Sequence, residues 1–118
     1  MNFYKRWIGD YMRDTSHLSL IEHGAYTKLL DQYYASGKPL PKDLIALYRI
    51  TGCQDMNEKM AIEKIANEFF PVTVDGLRHN SRADTEIAQY GVQVETNRRI
   101  TREREGKRNV KRFVKRSV

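Results

Sequence analysis

Residues 14–37 read DTSHLSLIEHGAYTKLLDQYYASG. Two histidines, several acidic and hydroxyl groups and a glycine crowd its first half, so it reads either as a reactive cluster or as the start of a structural helix. The spacing favours the helix. Ser19 and Glu22 make an S-x-x-E capping box, which satisfies backbone amides that have no partner at a helix start. Ile21, Ala25, Leu29 and Tyr33 then recur every four residues, and Tyr26, Leu30 and Tyr34 widen the stripe. His23, Thr27, Lys28, Asp31 and Gln32 fall on the other side. This pattern predicts an amphipathic helix over about 20–35, closed by Gly37. Gly24 lies inside it, where glycine costs about 1 kcal/mol relative to alanine. The expected reason is close packing, with the missing side chain admitting a neighbouring element.

Downstream, KPLPKD is a tight connection in which Pro41 suits a first helical turn. Leu44, Leu47 and Tyr48 mark a short second helix, broken by Thr51 and Gly52. Asp55 is a plausible N-cap for a third helix, whose apolar face is Ile62, Ile65, Ala66 and Phe69 and which ends before Pro71. Asp75-Gly76, between two short β-favouring runs, predicts a hairpin with a two-residue turn. From Ala83 the chain is helical in character again. Ile87, Tyr90 and Val94 form a stripe that fades beyond Ile100, and Gly106 is expected to interrupt it. Val110, Phe113 and Val114 sit on one candidate face of the final segment. Upstream, Phe3, Tyr4, Trp7, Ile8 and Tyr11 suggest a short strand or an irregular anchoring segment, with Trp7 packed on the core. Three helices followed by a hairpin are the plan of a winged helix. The expected fold is therefore mainly α: a winged-helix-like three-helix core with a small β-hairpin over residues 1–82, then a basic helical extension over 83–118.

The 118 residues suit one small domain with an appendage. Cys53 is the single cysteine, so no intrachain disulfide forms, which fits a reducing cytosol. No apolar run approaches the roughly 18 residues of a membrane span, and the N-terminus lacks a signal-peptide pattern. A cytoplasmic protein without membrane contact is expected. The formal charge of +6 is uneven: residues 98–118 hold ten Lys or Arg against Glu103 and Glu105, while the rest is slightly acidic. A basic block at one end reads as an arm for a polyanion.

Catalytic and metal readings are weak. His17, Glu22 and His23 with Asp10 or Asp14 have ligand chemistry but no H-x-x-x-H spacing, and Cys53 has no C-x-x-C partner. There is no P-loop and no G-x-S-x-G. No cofactor, metal or catalytic residue is expected; a metal-dependent nuclease using Asp10, Asp14 and Glu22 is the weakest alternative. The structural reading is that Asp14, Thr15, Ser19 and Glu22 organise a turn and helix start, with Arg13 pairing to a nearby carboxylate.

For DNA the third helix is a poor reader, because Glu58, Glu63 and Glu68 on its polar face would repel phosphates. Tyr26, Tyr33, Tyr34 and Tyr48 could stack on bases, but their helical spacing points to packing. The extension is the better candidate: Arg98, Arg99, Arg102, Arg104, Lys107, Arg108, Lys111, Arg112, Lys115 and Arg116 could neutralise several phosphates. Arg78, His79 and Arg82, on or beside the expected wing, would add to them. The apolar face of Lys107–Val118 is too short for stable membrane anchoring.

IGDYMRDTSHLSLIEHGAY, a downstream PLP, and DGLRHNSRADTEI carry a family resemblance. The chain resembles the YdaU-type domain of unknown function common in phages and prophages. The residues that fit are Gly9, Asp10, Tyr11, Arg13, Asp14, Thr15, His17, Leu18, Ser19, Glu22, His23, Gly24, Ala25 and Tyr26, then Pro39, Pro41, Asp75, Gly76, His79, Asp84, Glu86 and Ile87. The resemblance covers roughly residues 3–90 and leaves the basic extension outside. It implies a phage replication context, not a reaction. The expected function is thus a phage DNA-replication accessory protein that binds DNA non-specifically through extension and wing. The rival is a protein–protein adaptor contacting a helicase, a loader or its own copy.

Overall fold

The computed structural model describes residues 1–117, with side chains described through Arg108. It is helical: α1 (Ile8–Asp14), α2 (Leu20–Ser36), α3 (Leu44–Thr51), α4 (Met56–Phe69) and α5 (Ser81–Ser117). The chain divides into two compact units, Met1–Asp84 and the remainder from Thr85.

Local chemistry sets the boundaries in the first unit. At the start of α2 the Ser19 hydroxyl accepts the Glu22 N–H at 3.2 Å, and the Glu22 carboxylate accepts the Ser19 N–H at 2.8 Å. The helix stops at Gly37, whose φ of 65° is the left-handed conformation that glycine adopts without strain. Asp43 caps α3 through the Ile45 N–H, so that helix begins three residues beyond Pro41. Asp55 caps α4 through the Glu58 N–H at 2.8 Å.

Helices α2, α3 and α4 pack on one another, α2 against α4 most extensively. Leu29, Tyr33, Leu47, Ile65 and Phe70 are fully buried between them. Ile21 drops out of the expected stripe and is half-exposed. Gly24 admits no neighbour either: a methyl placed there would meet nothing within 4 Å. It lines instead an open groove of about 290 Å³ with Ile21, Ala25, Lys28, Cys53 and Ile62.

Three further expectations are corrected. The N-terminal segment is a helix from Ile8 onward, and Trp7 lies half-exposed ahead of it instead of in the core. No strand forms among the described residues, so the hairpin is reduced to a turn. Thr73 N–H bonds the Leu77 carbonyl at 2.9 Å, Gly76 takes φ 79°, and isolated antiparallel bridges join Arg78 to Val72 and to Leu40. Once Thr73–Leu77 forms the turn, the short run between Phe70 and Ser81 has room for little more than one pair on each side. Finally, α5 runs through Gly106 without a break. A single glycine costs about 1 kcal/mol, which the good helix formers Arg, Lys and Glu around it offset.

Candidate nucleic-acid interface

The extension places its cations as anticipated on a helix. Arg98, Arg99, Arg102, Arg104, Lys107 and Arg108 are exposed, and among the described residues none of them is in an ion pair. Arg98 and Arg102 are one turn apart, as are Arg104 and Arg108, so each pair shares a helix face. Lys111, Arg112, Lys115 and Arg116 continue the helical backbone, but their side chains lie outside the described residues. At 1.5 Å per residue, the helical part from Thr85 is about 50 Å long.

Arg78 is not available to phosphate. Its side chain is buried, with the residue 5% exposed. Its Nε donates to the Lys42 carbonyl, and its Nη1 donates to Asn67 Oδ1 and the Phe70 carbonyl, each at 3.2 Å. It therefore ties the end of α4 to the α2–α3 connection. Burial pulls its pKa below the ordinary arginine value.

His79 is likewise occupied. Nε2 faces Asp75 Oδ2 and Nδ1 faces Asp84 Oδ2, both at 2.7 Å. These two carboxylates, Asp75 first, raise its pKa. Asp75 also accepts from the Thr73 hydroxyl and the Leu77 N–H, and with His79 these hold its carboxyl at about 2. The tip of the turn thus carries an acid that organises the loop. Arg82 stays half-exposed; it donates to Asp10 Oδ2 at 2.8 Å, and its guanidinium carbon lies 5.8 Å from the Trp7 ring centroid.

The groups that could have formed a metal or nuclease cluster are dispersed. His17 pairs with Glu68, and His23 faces the Tyr11 hydroxyl at 2.7 Å. Glu22 pairs with Lys64, which with the Ser19 amide holds its carboxyl at about 2. Asp10 pairs with Arg82 and Arg13, and Asp14 with Arg13. Among the described residues no three His, Cys, Asp or Glu side chains stand together as a metal site. Thr15, a buried hydroxyl, back-bonds to the Tyr11 carbonyl at the end of α1.

One basic and aromatic surface was not singled out from the sequence. Phe3 is 79% exposed and Trp7 51% exposed, with Lys5 and Arg6 between them. The available signal was the mixture of aromatic and basic residues in FYKRW.

A model for the family described as "Protein of unknown function (DUF1376)" matches residues 2–88. The chain belongs to this family. The match spans the helical core, the turn and the start of α5, and leaves the basic run outside it. The chain is also 43% identical over 70 residues to "Uncharacterized protein YdaU" of Escherichia coli strain K12, covering 58% of this chain and 23% of that relative. It therefore spans less than a quarter of that relative's length. No solved structure matches the chain.

Proposed function

We propose that this family member is a nucleic-acid-binding accessory protein whose α5 supplies a non-specific phosphate-binding arm. The observation that carries this reading is the run of exposed cations from Arg98 to Arg108, none of them in an ion pair among the described residues. Cations held along an exposed helix displace counterions from a polyanion without reading its sequence. The first unit contributes less than a basic wing would, since Arg78 and His79 are engaged internally and the turn tip is acidic. The chain order is α2, Leu40, α3, α4, Val72, turn, Arg78, with isolated bridges where a winged helix has its sheet. That topology supports a winged-helix-like assignment, and the YdaU-type resemblance supports a phage replication setting.

Fluorescence anisotropy with labelled single- and double-stranded DNA across a salt series tests the arm. The full chain should bind, with log affinity falling by about 0.9 per phosphate contact per log unit of salt on duplex. A chain ending at Asn97 should lose most of that affinity and slope. Equal binding by both chains, or none by either, overturns the proposal.

The open groove beside Gly24 favours a second reading, a protein adaptor. Replacing Gly24 with leucine would fill the groove, and loss of a replication-protein contact with DNA binding intact would select that reading.

A further inference from the structure

We propose that Trp7, with Lys5, Arg6 and Arg82 around it, is a stacking site for an unpaired base of single-stranded nucleic acid. This rests on the phosphate-binding role of α5 and names the strand type that the protein takes.

The N-terminal segment is pinned so that its aromatics divide between two roles. Tyr4 turns inward: its ring lies on Tyr34 with centroids 4.0 Å apart and planes within 8°, and its hydroxyl donates to Asp31. The N-terminal amine also donates to the Tyr34 carbonyl at 3.2 Å. Tyr11 turns inward as well, against Tyr26 and His23. Phe3 and Trp7 remain exposed, Trp7 with Lys5 and Arg82 over its ring. The segment is therefore held at both ends while it presents a half-exposed indole.

The charge around that indole is positive. Lys5 Nζ is 5.9 Å and Arg82 Cζ 5.8 Å from the Trp7 ring centroid, and Arg6 lies over Tyr11 at 4.0 Å. Asp10 and Asp14 are engaged with Arg82 and Arg13. Among the described residues neither Lys5 nor Arg6 is in an ion pair. An exposed aromatic face with cations beside it is the combination that binds single strands: the ring takes a base and the cations take its phosphates. Duplex DNA keeps its bases stacked internally and offers this ring nothing to stack on. An acidic peptide would satisfy the cations but not the ring face.

Trp7 is the only tryptophan, so its fluorescence reports this site alone. The full chain is titrated with a 15-nucleotide oligo-dT, with a duplex of equal length, with heparin and with a poly-glutamate peptide, and binding is followed in parallel by anisotropy. Oligo-dT should quench Trp7, whereas the duplex and heparin should bind with little quenching. Trp7→Ala should weaken oligo-dT binding roughly 5- to 100-fold, the range for loss of one base–aromatic stack, and leave duplex affinity unchanged. Trp7→Phe should restore much of it, and this also controls for folding of the alanine variant. Oligo-dT that binds without quenching overturns the site but leaves the arm standing. Equal quenching by heparin, duplex or poly-glutamate overturns it as a response to charge. Failure of every nucleic acid to bind removes the arm and the site together.

Discussion

Arg78 donates from Nη1 to the carbonyl oxygen of Phe70, the residue that closes α4. A helix end leaves carbonyls without partners, and a buried one is costly unless something donates to it. The same guanidinium also serves Asn67 and the Lys42 carbonyl. Arg78→Ala should therefore cost roughly 2–4 kcal/mol, because several acceptors lose their donor in a buried setting. Arg78→Lys should recover little, since an ammonium cannot reproduce the planar fork. Urea unfolding monitored by circular dichroism measures both; a loss under about 0.5 kcal/mol for the alanine variant would contradict this role.

Stability should depend on pH through His79. Its pKa in the folded chain is raised from 6.5 by Asp75 and Asp84. Its contribution is therefore fully present below the unfolded value and is lost as pH rises through the raised folded value. Asp75, held at about 2 against an ordinary 3.8, contributes above the ordinary value and loses that as pH falls towards 2. The clip is then strongest from about pH 4 to pH 6.5. Tyr33, whose hydroxyl donates to Asp84, is held protonated throughout by burial and that carboxylate. Thermal melts across pH should show His79→Gln flattening the alkaline decline relative to the unmodified chain. Superimposable profiles would rule the clip out.

Gly24 and Gly37 should respond oppositely to alanine. Gly24 is inside α2, and a methyl there meets open space, so Gly24→Ala should stabilise by up to about 1 kcal/mol. Gly37 sits at φ 65°, where a Cβ is strained, so Gly37→Ala should destabilise by about 1 kcal/mol. Differential scanning calorimetry of the two variants tests the pair, and a melting shift of the same sign in both would refute it.

The cap at Ser19 is a separate test of α2. Ser19→Ala leaves the Glu22 N–H without its acceptor and should cost about 1 kcal/mol. Ser19→Asp should retain most of the stability. Equal losses for the two variants would show that the cap is not the source of the effect.

These sites also show which features could be read from the sequence. Ser19, Asp55 and Gly37 announce themselves because capping depends on residues three or four apart. The apolar stripe from Ala25 to Tyr33 is equally local. α1 was missed because Trp7, at its N-cap, makes no side-chain cap hydrogen bond, and the helix buries no residue of its own. Arg78 looked like a surface cation because its acceptors, Lys42, Asn67 and Phe70, lie far apart along the chain and converge only in the fold. The Asp75-Gly76 turn was visible, but the length of pairing around it was not, since that depends on Leu40 from another part of the chain. Within the basic run, composition alone identified the residues, and the structure added a continuous helix and, through Arg108, their exposure.

The paired backbone bonds between Leu40 and Arg78, 2.9 and 2.8 Å long, join segments that only the packed helices bring together. Their two amides should consequently be among the slowest in the first unit to exchange with deuterium, surviving as long as α2 and α4 remain docked. The bridge should accordingly be lost together with the docking of those helices, in one cooperative step.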